Sequence, residues 1–383
     1  MPIKVENNQI TVLNPASLKE VGKVNLSTKQ DVDNTLKIAK EYVGWSSLTL
    51  NKRCKIINKF RKIVLKHSDQ IKEIIKNETG KKDFVVFVEF FAFLDHAKTM
   101  SKIAKTALKK SKRKSGMLFK NKKAYVQYEP MGVVGIISPW NFPLGTAMKG
   151  VVEALLAGNN VVLKPSEYTP LTPQFVKKLW DENIGYEDAF QILNGEGDVG
   201  AMLVQSDFTD VICFTGSTEV GHEIAKSCSV SLKPCILELG GKDPMIVLKD
   251  ASMNRAVESA LYAGLFNVGQ TCISTEEVYV EQDIFDEFVS ELSTRIKNIK
   301  SGDSDDDDLG PIITPETKDK INNHINELKD SCSTIQGINR GGDKYIAPTI
   351  IIDPPESARI VNEETFGPVM SIRPFSNEDE LIQ

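Results

Sequence analysis

Apolar residues in the first hundred positions recur at helical spacing. Val32, Leu36, Ala39 and Val43 follow one another at intervals of four, three and four, which is one face of a helix. Ser27 with Gln30 three residues on reads as the capping box that opens it. A second amphipathic helix carries Ile56, Ile57, Phe60, Ile63 and Val64, and Asn77-Glu78-Thr79-Gly80 supplies its stop. One short strand, near Ile10 to Val12, precedes them. The longest apolar run, Phe84 to Leu94, is interrupted by Glu89 and is too short to span a bilayer, so it predicts a buried helix. These helices are too polar to form a core alone and must cover another layer.

From Gly132 the pattern changes, and short apolar strands alternate with helical segments. Val133 to Ile137, Val161 to Leu163, Phe190 to Leu193, Val211 to Phe214 and Ile236 to Leu239 are the expected strands, separated by helices such as Gly145 to Leu156 and Thr172 to Glu182. Buried strands with crossover helices imply an α/β fold with a parallel, doubly wound sheet, whose ligands bind beyond the carboxyl ends of the strands. A second series follows: a strand at Met245 to Leu248, a helix at Arg255 to Phe266, a strand at Val278 to Val280, a helix at Phe285 to Lys297 and a strand at Thr349 to Ile352. It predicts a second α/β domain. The boundary near Gly240-Gly241 reads as a tight hinge at a shared cleft.

A chain of 383 residues exceeds what one hydrophobic core supports, which agrees with two or three domains. A hydrophobic fraction of 41%, a charged fraction of 26% and a net charge of -5 argue against disorder and against bulk nucleic-acid binding. The six cysteines are widely spaced, with no CxxC pair and no zinc-type Cys/His cluster, so no metal site is expected. They read as reduced thiols. The start Met1-Pro2-Ile3-Lys4 runs into polar sequence rather than a signal peptide, which together with the thiols predicts a cytoplasmic protein. Eight basic residues between Lys109 and Lys123, followed by the alternating Ala124 to Tyr128, read as a solvated loop and hairpin between domains rather than a nucleic-acid or membrane patch. The acidic run Asp303 to Asp308 lacks the Gly and terminal Glu of a calcium loop and reads as a surface turn.

Chemistry-bearing residues stand just after the strands. Ser138-Pro139-Trp140-Asn141-Phe142-Pro143 presents one amide side chain between two prolines, and a fixed Asn amide is a good oxyanion donor. Lys164-Pro165-Ser166-Glu167 sets a Lys and an acid three apart, a pair suited to ribose hydroxyls whose acid repels a 2'-phosphate. Gly195-Glu196-Gly197-Asp198-Val199-Gly200 matches a dinucleotide fingerprint literally but follows the third strand instead of the first. Phe214-Thr215-Gly216-Ser217-Thr218, at a helix start, is the better phosphate contact. Glu238, at the end of an apolar strand before Leu239-Gly240-Gly241-Lys242, is a candidate general base if burial raises its pKa, or a structural partner of Lys242. Cys272 sits in the Gly269-Gln270-Thr271-Cys272-Ile273-Ser274 loop, which exposes the sulfur and can place peptide dipoles around a thiolate.

With PWNFP, KPSE, FTGST, LELGGK and GQTCIS in this order, and EETFGP at Glu363 to Pro368 as a sixth motif, the chain resembles the aldehyde dehydrogenase superfamily from about Thr11 to its end. The resemblance implies oxidation of an aldehyde to a carboxylic acid with hydride transfer to NAD, NADP being the alternative cofactor. It places the nucleophile at Cys272, an oxyanion hole at the Asn141 side chain and the Cys272 N–H, and the base that hydrolyses the thioester at Glu238. Retention of Glu238 favours hydrolysis over transfer to coenzyme A. Lys164 and Glu167 would hold the adenosine ribose, Ser217 and its neighbours the pyrophosphate, and Glu364 with Phe366 the nicotinamide side. Trp140, Ser166, Gly195, Gly200, Thr215, Gly216 and Leu239 complete the expected cofactor contacts.

The resemblance also divides the chain into a helical part of the cofactor domain (1–110), a bridging or oligomerisation hairpin (111–130), a Rossmann-like NAD-binding domain (131–240) and a catalytic domain (241–383). Family members usually continue about a hundred residues further, so the catalytic domain is expected to be incomplete here. Succinic semialdehyde or another small aldehyde is the expected substrate, and a homodimer or homotetramer the expected assembly of a complete chain. Glu277 stands where relatives carry Arg.

Overall fold

The computed structural model describes residues 2–382. Three antiparallel strands come first: β1 (Ile3–Glu6), β2 (Gln9–Leu13) and β3 (Glu20–Asn25). The single strand expected near Ile10 is thus the middle of a small sheet. Its neighbours escape the pattern because they alternate weakly and lie largely exposed.

Four helices follow, α1 (Lys29–Glu41), α2 (Leu50–Lys66), α3 (Ser68–Thr79) and α4 (Asp83–Ala107). The capping box of α1 is Thr28 with Asp31, one residue later than the expected Ser27 and Gln30. Ser27 is engaged elsewhere: its N–H donates to Asn194 O and its hydroxyl accepts from Asn194 N. Val32, Leu36 and Ala39 face inward as expected, whereas Val43 lies beyond the helix end and is exposed. The apolar run in α4 is only half buried. Val86, Phe90 and Phe93 point into the core, and Phe84, Phe87 and Phe91 form an exposed face.

The basic stretch forms a hairpin, β4 (Ser111–Arg113) with β5 (Ala124–Val126), whose connection carries exposed Met117, Leu118 and Phe119. Beyond it lies the first parallel sheet, made of β6 (Val133–Ile137), β7 (Asn160–Lys164), β8 (Phe190–Ile192), β9 (Val211–Thr215) and β10 (Cys235–Glu238). Its order is β10-β9-β6-β7-β8 with every neighbouring pair parallel. The crossovers are α5 (Gly145–Ala157), α6 (Leu171–Ile184), α7 (Gly197–Gln205) and α8 (Thr218–Val230). Each expected strand is present to within two residues. Helices α2 to α4 cover one face of this sheet, where Trp45, Phe60, Phe93, Trp180 and Phe190 fill the joint core, while Val32, Leu36 and Ala39 of α1 pack with Val133 and Val162 on the other face. Such large buried side chains dominate the hydrophobic stabilisation, at roughly 1.5–3 kcal/mol each.

The second unit contains β11 (Asp243–Val247), α9 (Met253–Leu265), β12 (Thr275–Glu281), α10 (Phe285–Ile296), β13 (Lys300–Ser301), α11 (Pro315–Leu328), β14 (Ser333–Gln336), β15 (Ile338–Asn339), β16 (Thr349–Ile352) and β17 (Val369–Phe375). Its main sheet runs β11-β12-β17-β16-β14, parallel except for β14, while β13 and β15 pair separately. Val278, Val280 and Ile372 pack on α9 and α10 on one side, and Ile351 and Val369 pack with Ile321 and Leu328 of α11 in another cluster. The chain passes from β10 to β11 through Leu239 to Lys242 alone, so the two parallel sheets meet edge to edge in sequence.

Candidate active site

In the first sheet the strand order reverses between β6 and β9, because β7 and β8 continue on one side and β10 on the other. Chains leaving two such adjacent strands turn to opposite faces, which opens a crevice at their carboxyl ends. A cleft of about 590 Å³ lies there. Ser138 and Trp140 reach it from the turn after β6, Lys164, Ser166 and Glu167 from the turn after β7, and Thr215, Gly216 and Ser217 from the turn after β9. Buried Lys164 donates to Glu167 Oε2 at 3.0 Å. Ser217 caps α8 by accepting from Val220 N, so the unpaired N–H groups of that helix's first turn begin at the cleft wall. The buried Ser138 hydroxyl has no hydrogen-bond partner among the described residues. An acid and an ammonium for ribose hydroxyls, a helix N-terminus for pyrophosphate and an unsatisfied hydroxyl together fit a dinucleotide. Gly197 and Gly200 also line the cleft; Gly195 does not, and packs on the side chain of Val199 instead.

A second cavity of about 240 Å³ shares Pro139, Trp140 and Thr215 to Ser217 with the first and adds Asn141, Leu239, Gly240, Cys272, Glu364 and Phe366. Sequence-predicted residues from both sheets therefore converge here, although Glu238 lines neither cavity. Asn141 is buried, and its Nδ2 donates to Gln270 O at 3.1 Å, which leaves one of its two N–H groups to meet a developing charge. Asn267 Nδ2 donates to the same carbonyl at 3.0 Å. This turn is held in an unusual shape, since Asn267, Val268 and Gly269 all have positive φ, at 52°, 62° and 69°. At Gly269 a Cβ would collide with the Gly367 backbone, so glycine allows the nucleophile turn to touch the Glu363 to Pro368 loop. Gln270 fixes the turn from beneath, its Oε1 accepting from Ile313 N at 3.0 Å.

Cys272 is the exposed cysteine; the other five are buried or half-buried. Desolvation at the cavity wall pushes its thiol up from the ordinary range, helped by the negative charges of Glu364, Asp243 and Glu238, while its own backbone N–H works the other way. The peptide dipole expected around the sulfur is present but outweighed. A thiol raised in this way needs a proton acceptor before it can attack.

Glu238 departs from expectation in two respects: it lines neither cavity, and the edge position of β10 leaves it exposed, not buried. A base there is available through freedom and access rather than through desolvation. Lys242 is not its partner but pairs with buried Glu276 at 2.7 Å. Gly240 lies against Glu364, whose carboxylate a Cβ would strike, and Gly241 N donates to Glu364 Oε1 at 3.3 Å. Burial raises the Glu364 pKa, and the Gly241 bond lowers it.

Glu277 is buried on β12. Burial raises its pKa, while Lys242, the Tyr279 hydroxyl at 3.4 Å and Arg373 on the neighbouring β17 pull it down. Two cations thus act on its carboxyl. Thr146, Thr317 and Lys320 also line the second cavity and were not expected there. Lys320 has no ion-pair partner within the salt-bridge distance among the described residues. On an amphipathic helix it reads as one more solvated lysine, so no signal in the sequence sets it apart.

The aldehyde dehydrogenase family model matches residues 3–383. A D-glyceraldehyde dehydrogenase (NADP(+)) of Picrophilus torridus is 32% identical over 97% of this chain and 76% of its own length. Betaine aldehyde dehydrogenase of Bacillus subtilis is 33% identical over 100% of this chain and 80% of its own. The crystal structure of betaine aldehyde dehydrogenase from Staphylococcus aureus in complex with NAD+ superposes with a TM-score of 0.92 at 29% identity, covering 98% of this chain and 76% of that one. An NADP-dependent enzyme of E. coli gives 0.93 at 28% identity, covering 98% and 79%.

Proposed function

The chain belongs to the aldehyde dehydrogenase family, and from that membership we propose which of its residues perform the reaction and on what kind of aldehyde. The activity is NAD(P)-dependent oxidation of an aldehyde to a carboxylic acid. The convergence of Cys272, Asn141 and Glu364 with the ends of β6 and β9 on one cavity carries the assignment.

Cys272 attacks the aldehyde carbon once its thiol has lost its proton, and the sulfur–carbon bond makes a tetrahedral alkoxide. The free N–H of Asn141 and the Cys272 backbone N–H stabilise that oxygen. Both are fixed in advance, Asn141 by its bond to Gln270 O, so little reorganisation is needed as charge develops. The bound cofactor supplies a hydride acceptor. Lys164 and Glu167 hold its ribose, the start of α8 its pyrophosphate, and Glu364 and Phe366 orient the reacting end. Breaking the C–H bond of the tetrahedral carbon, with the hydride passing to that acceptor, would leave a thioester on Cys272. Glu238 then takes a proton from water as the water cleaves the thioester, returning Cys272 to its starting form. Its exposed place lets it exchange that proton with solvent.

The second cavity, of about 240 Å³, is shared by the reacting end of the cofactor and the aldehyde, which favours a short chain. Thr146 and the unpaired Lys320 favour polar substituents. Relatives are named for D-glyceraldehyde, betaine aldehyde and succinate semialdehyde, all small and polar. We assign a short polar aldehyde, with succinic semialdehyde as the first to test. We place the protein in the cytoplasm, where six unpaired thiols are at home; among the described residues no helix is long and apolar enough to cross a membrane. We divide the chain into a cofactor unit ending at 240 and a catalytic unit beginning at 241, and assign the exposed β4–β5 hairpin to pairing of copies in a homodimer or homotetramer of a complete chain.

The deciding measurement is NADH or NADPH formation on a panel of short aldehydes by the parent and by Cys272→Ala. The substitution should lower turnover by at least about a thousandfold and leave the NAD dissociation constant within twofold or so. Substantial turnover in Cys272→Ala would assign the nucleophile elsewhere.

A further inference from the structure

The loop carrying Glu364 and Phe366 is not rigid by its own chemistry. Phe366 has φ of 57°, a left-handed conformation that is unfavourable for a residue with a Cβ. Something outside the loop must hold it. Thr365 N donates to Glu276 Oε2 at 2.7 Å and Phe366 N to Glu276 Oε1 at 2.8 Å, so one carboxylate grips two consecutive amides with separate oxygens. Oε2 also accepts from Lys242 Nζ at 2.7 Å. Glu276 is 2% exposed.

The groups joined here come from three segments that lead to the cavity. Glu276 itself sits near the start of β12, just beyond Cys272. Lys242 closes the connector whose Gly240 and Gly241 touch Glu364. Thr365 and Phe366 belong to the loop, and Thr365 Oγ1 is additionally held by buried His324 Nδ1 at 3.2 Å. A single side chain therefore ties together the nucleophile strand, the connector between sheets and the loop that carries Glu364 and Phe366.

We propose that Glu276, locked to Lys242, is a positioning residue that sets Glu364 and Phe366 against the reacting end of the cofactor and so governs the geometry of hydride transfer. The inference rests on the roles assigned to Glu364 and Phe366. Only a carboxylate fits the place. Glutamine has one acceptor oxygen and would turn its NH2 toward one of two N–H donors; aspartate is one methylene too short to keep both amides and the ammonium. A loop released in this way keeps its residues in the cavity but lets them wander, and misplacement of reacting groups by about 1 Å costs on the order of a hundredfold in rate.

The test compares the parent with Glu276→Gln, Glu276→Asp and Glu364→Gln by three readouts. Amide hydrogen exchange at Thr365 and Phe366 should accelerate about tenfold or more in both Glu276 variants. NAD titrated without aldehyde should bind about threefold to tenfold more weakly. In a single turnover the NADH burst should keep its amplitude near one per folded site, while its rate falls about tenfold and the isotope effect on an aldehyde deuterated at the carbonyl carbon grows. Should Glu276→Gln fail to fold, Glu276→Asp must show the same signature at smaller size. Unchanged exchange at both amides, or a burst whose amplitude falls with folded fraction at unchanged rate per site, overturns the inference and leaves Glu276 a structural residue. Glu364→Gln separates the two layers of the argument. If it leaves NAD affinity and burst rate as in the parent, the assigned role of Glu364 has failed; if it impairs them while the Glu276 variants do not, the mooring inference alone has failed.

Discussion

Glutamates at the mouth of the cleft and glutamates in the layer behind it are used in opposite ways. At the mouth, Glu238 is exposed and Glu167 is half-exposed with a single lysine partner. Behind it, Glu78, Glu89 and Glu276 are each at most 3% exposed, and every one of them accepts from two consecutive backbone amides. Glu89 takes Leu144 N and Gly145 N at the start of α5, Glu78 takes Leu171 N and Thr172 N at the start of α6, and Glu276 takes Thr365 N and Phe366 N. The mouth keeps its carboxylates free for protons and hydroxyls. The layer behind saturates its own, exploiting the unpaired amides and partial positive charge of helix starts and turns. Substitution should then separate the two: chemistry without stability at the mouth, stability or positioning without direct chemistry behind it.

The sharpest break of that contrast is Glu238→Gln. It should lower steady turnover by about a thousandfold, the range of a lost general base, while the first turnover still releases about one NADH per site. The melting temperature should not move, since an exposed edge-strand residue without saturated partners is exchanged for its isostere. Loss of the burst together with steady turnover would mean that Glu238 acts earlier, accepting the proton of the Cys272 thiol that burial holds high.

The mouth was legible in the sequence because strand ends are. Alternating apolar runs located β6 to β10, and the polar residues immediately after them were candidates by position. Cys272 stood out by its loop. The layer behind was not legible, since Glu89 in an apolar helix and Glu276 beside Glu277 look like any surface acids until folding brings distant amides to them. The central strand β17 was missed for a related reason: Ser371, Arg373 and Pro374 interrupt its apolar pattern, although both its neighbours are parallel strands and Ser371 is wholly buried. The shift of the α1 cap from Ser27 to Thr28 has the same origin, because Ser27 is claimed by Asn194, far along the chain.

A milder effect is expected of Glu167→Gln. Its carboxylate, 3.0 Å from Lys164, favours ribose hydroxyls and opposes a 2'-phosphate, so the parent should prefer NAD over NADP and the variant should narrow that preference by about fivefold to tenfold. Ratios of kcat/KM for the two cofactors measure it. The melting temperature should again hold. Equal use of both cofactors by the parent, unchanged in the variant, would remove Glu167 from the cofactor site and weaken the account of the mouth as a place of free carboxylates.

Glu78 lies furthest from the chemistry, and Glu78→Gln should leave burst and steady rates nearly untouched while altering how stability depends on pH. Glu89 has Lys81 at 2.6 Å to balance it, but Glu78 has only the amides of Leu171 and Thr172 and the Thr172 hydroxyl. Burial pushes its pKa from the ordinary 4.5 up to about 8, the three donors opposing that rise and the nearby Glu89 charge adding to it. A carboxyl that titrates at about 8 folded and 4.5 unfolded is protonated in the native state while the unfolded chain has already released the proton. The native state then binds more protons, and the contribution to stability, full below pH 4.5, is lost as pH rises through 8. Glutamine removes this dependence and costs one amide bond at every pH. Its melting temperature should fall below that of the parent at pH 5, and the gap should shrink or reverse by pH 9, with each kcal/mol visible as about 2–4 °C. Parallel curves would show that the three donors keep Glu78 ionised in the folded protein as well, and that two amides and one hydroxyl suffice to hold its buried charge.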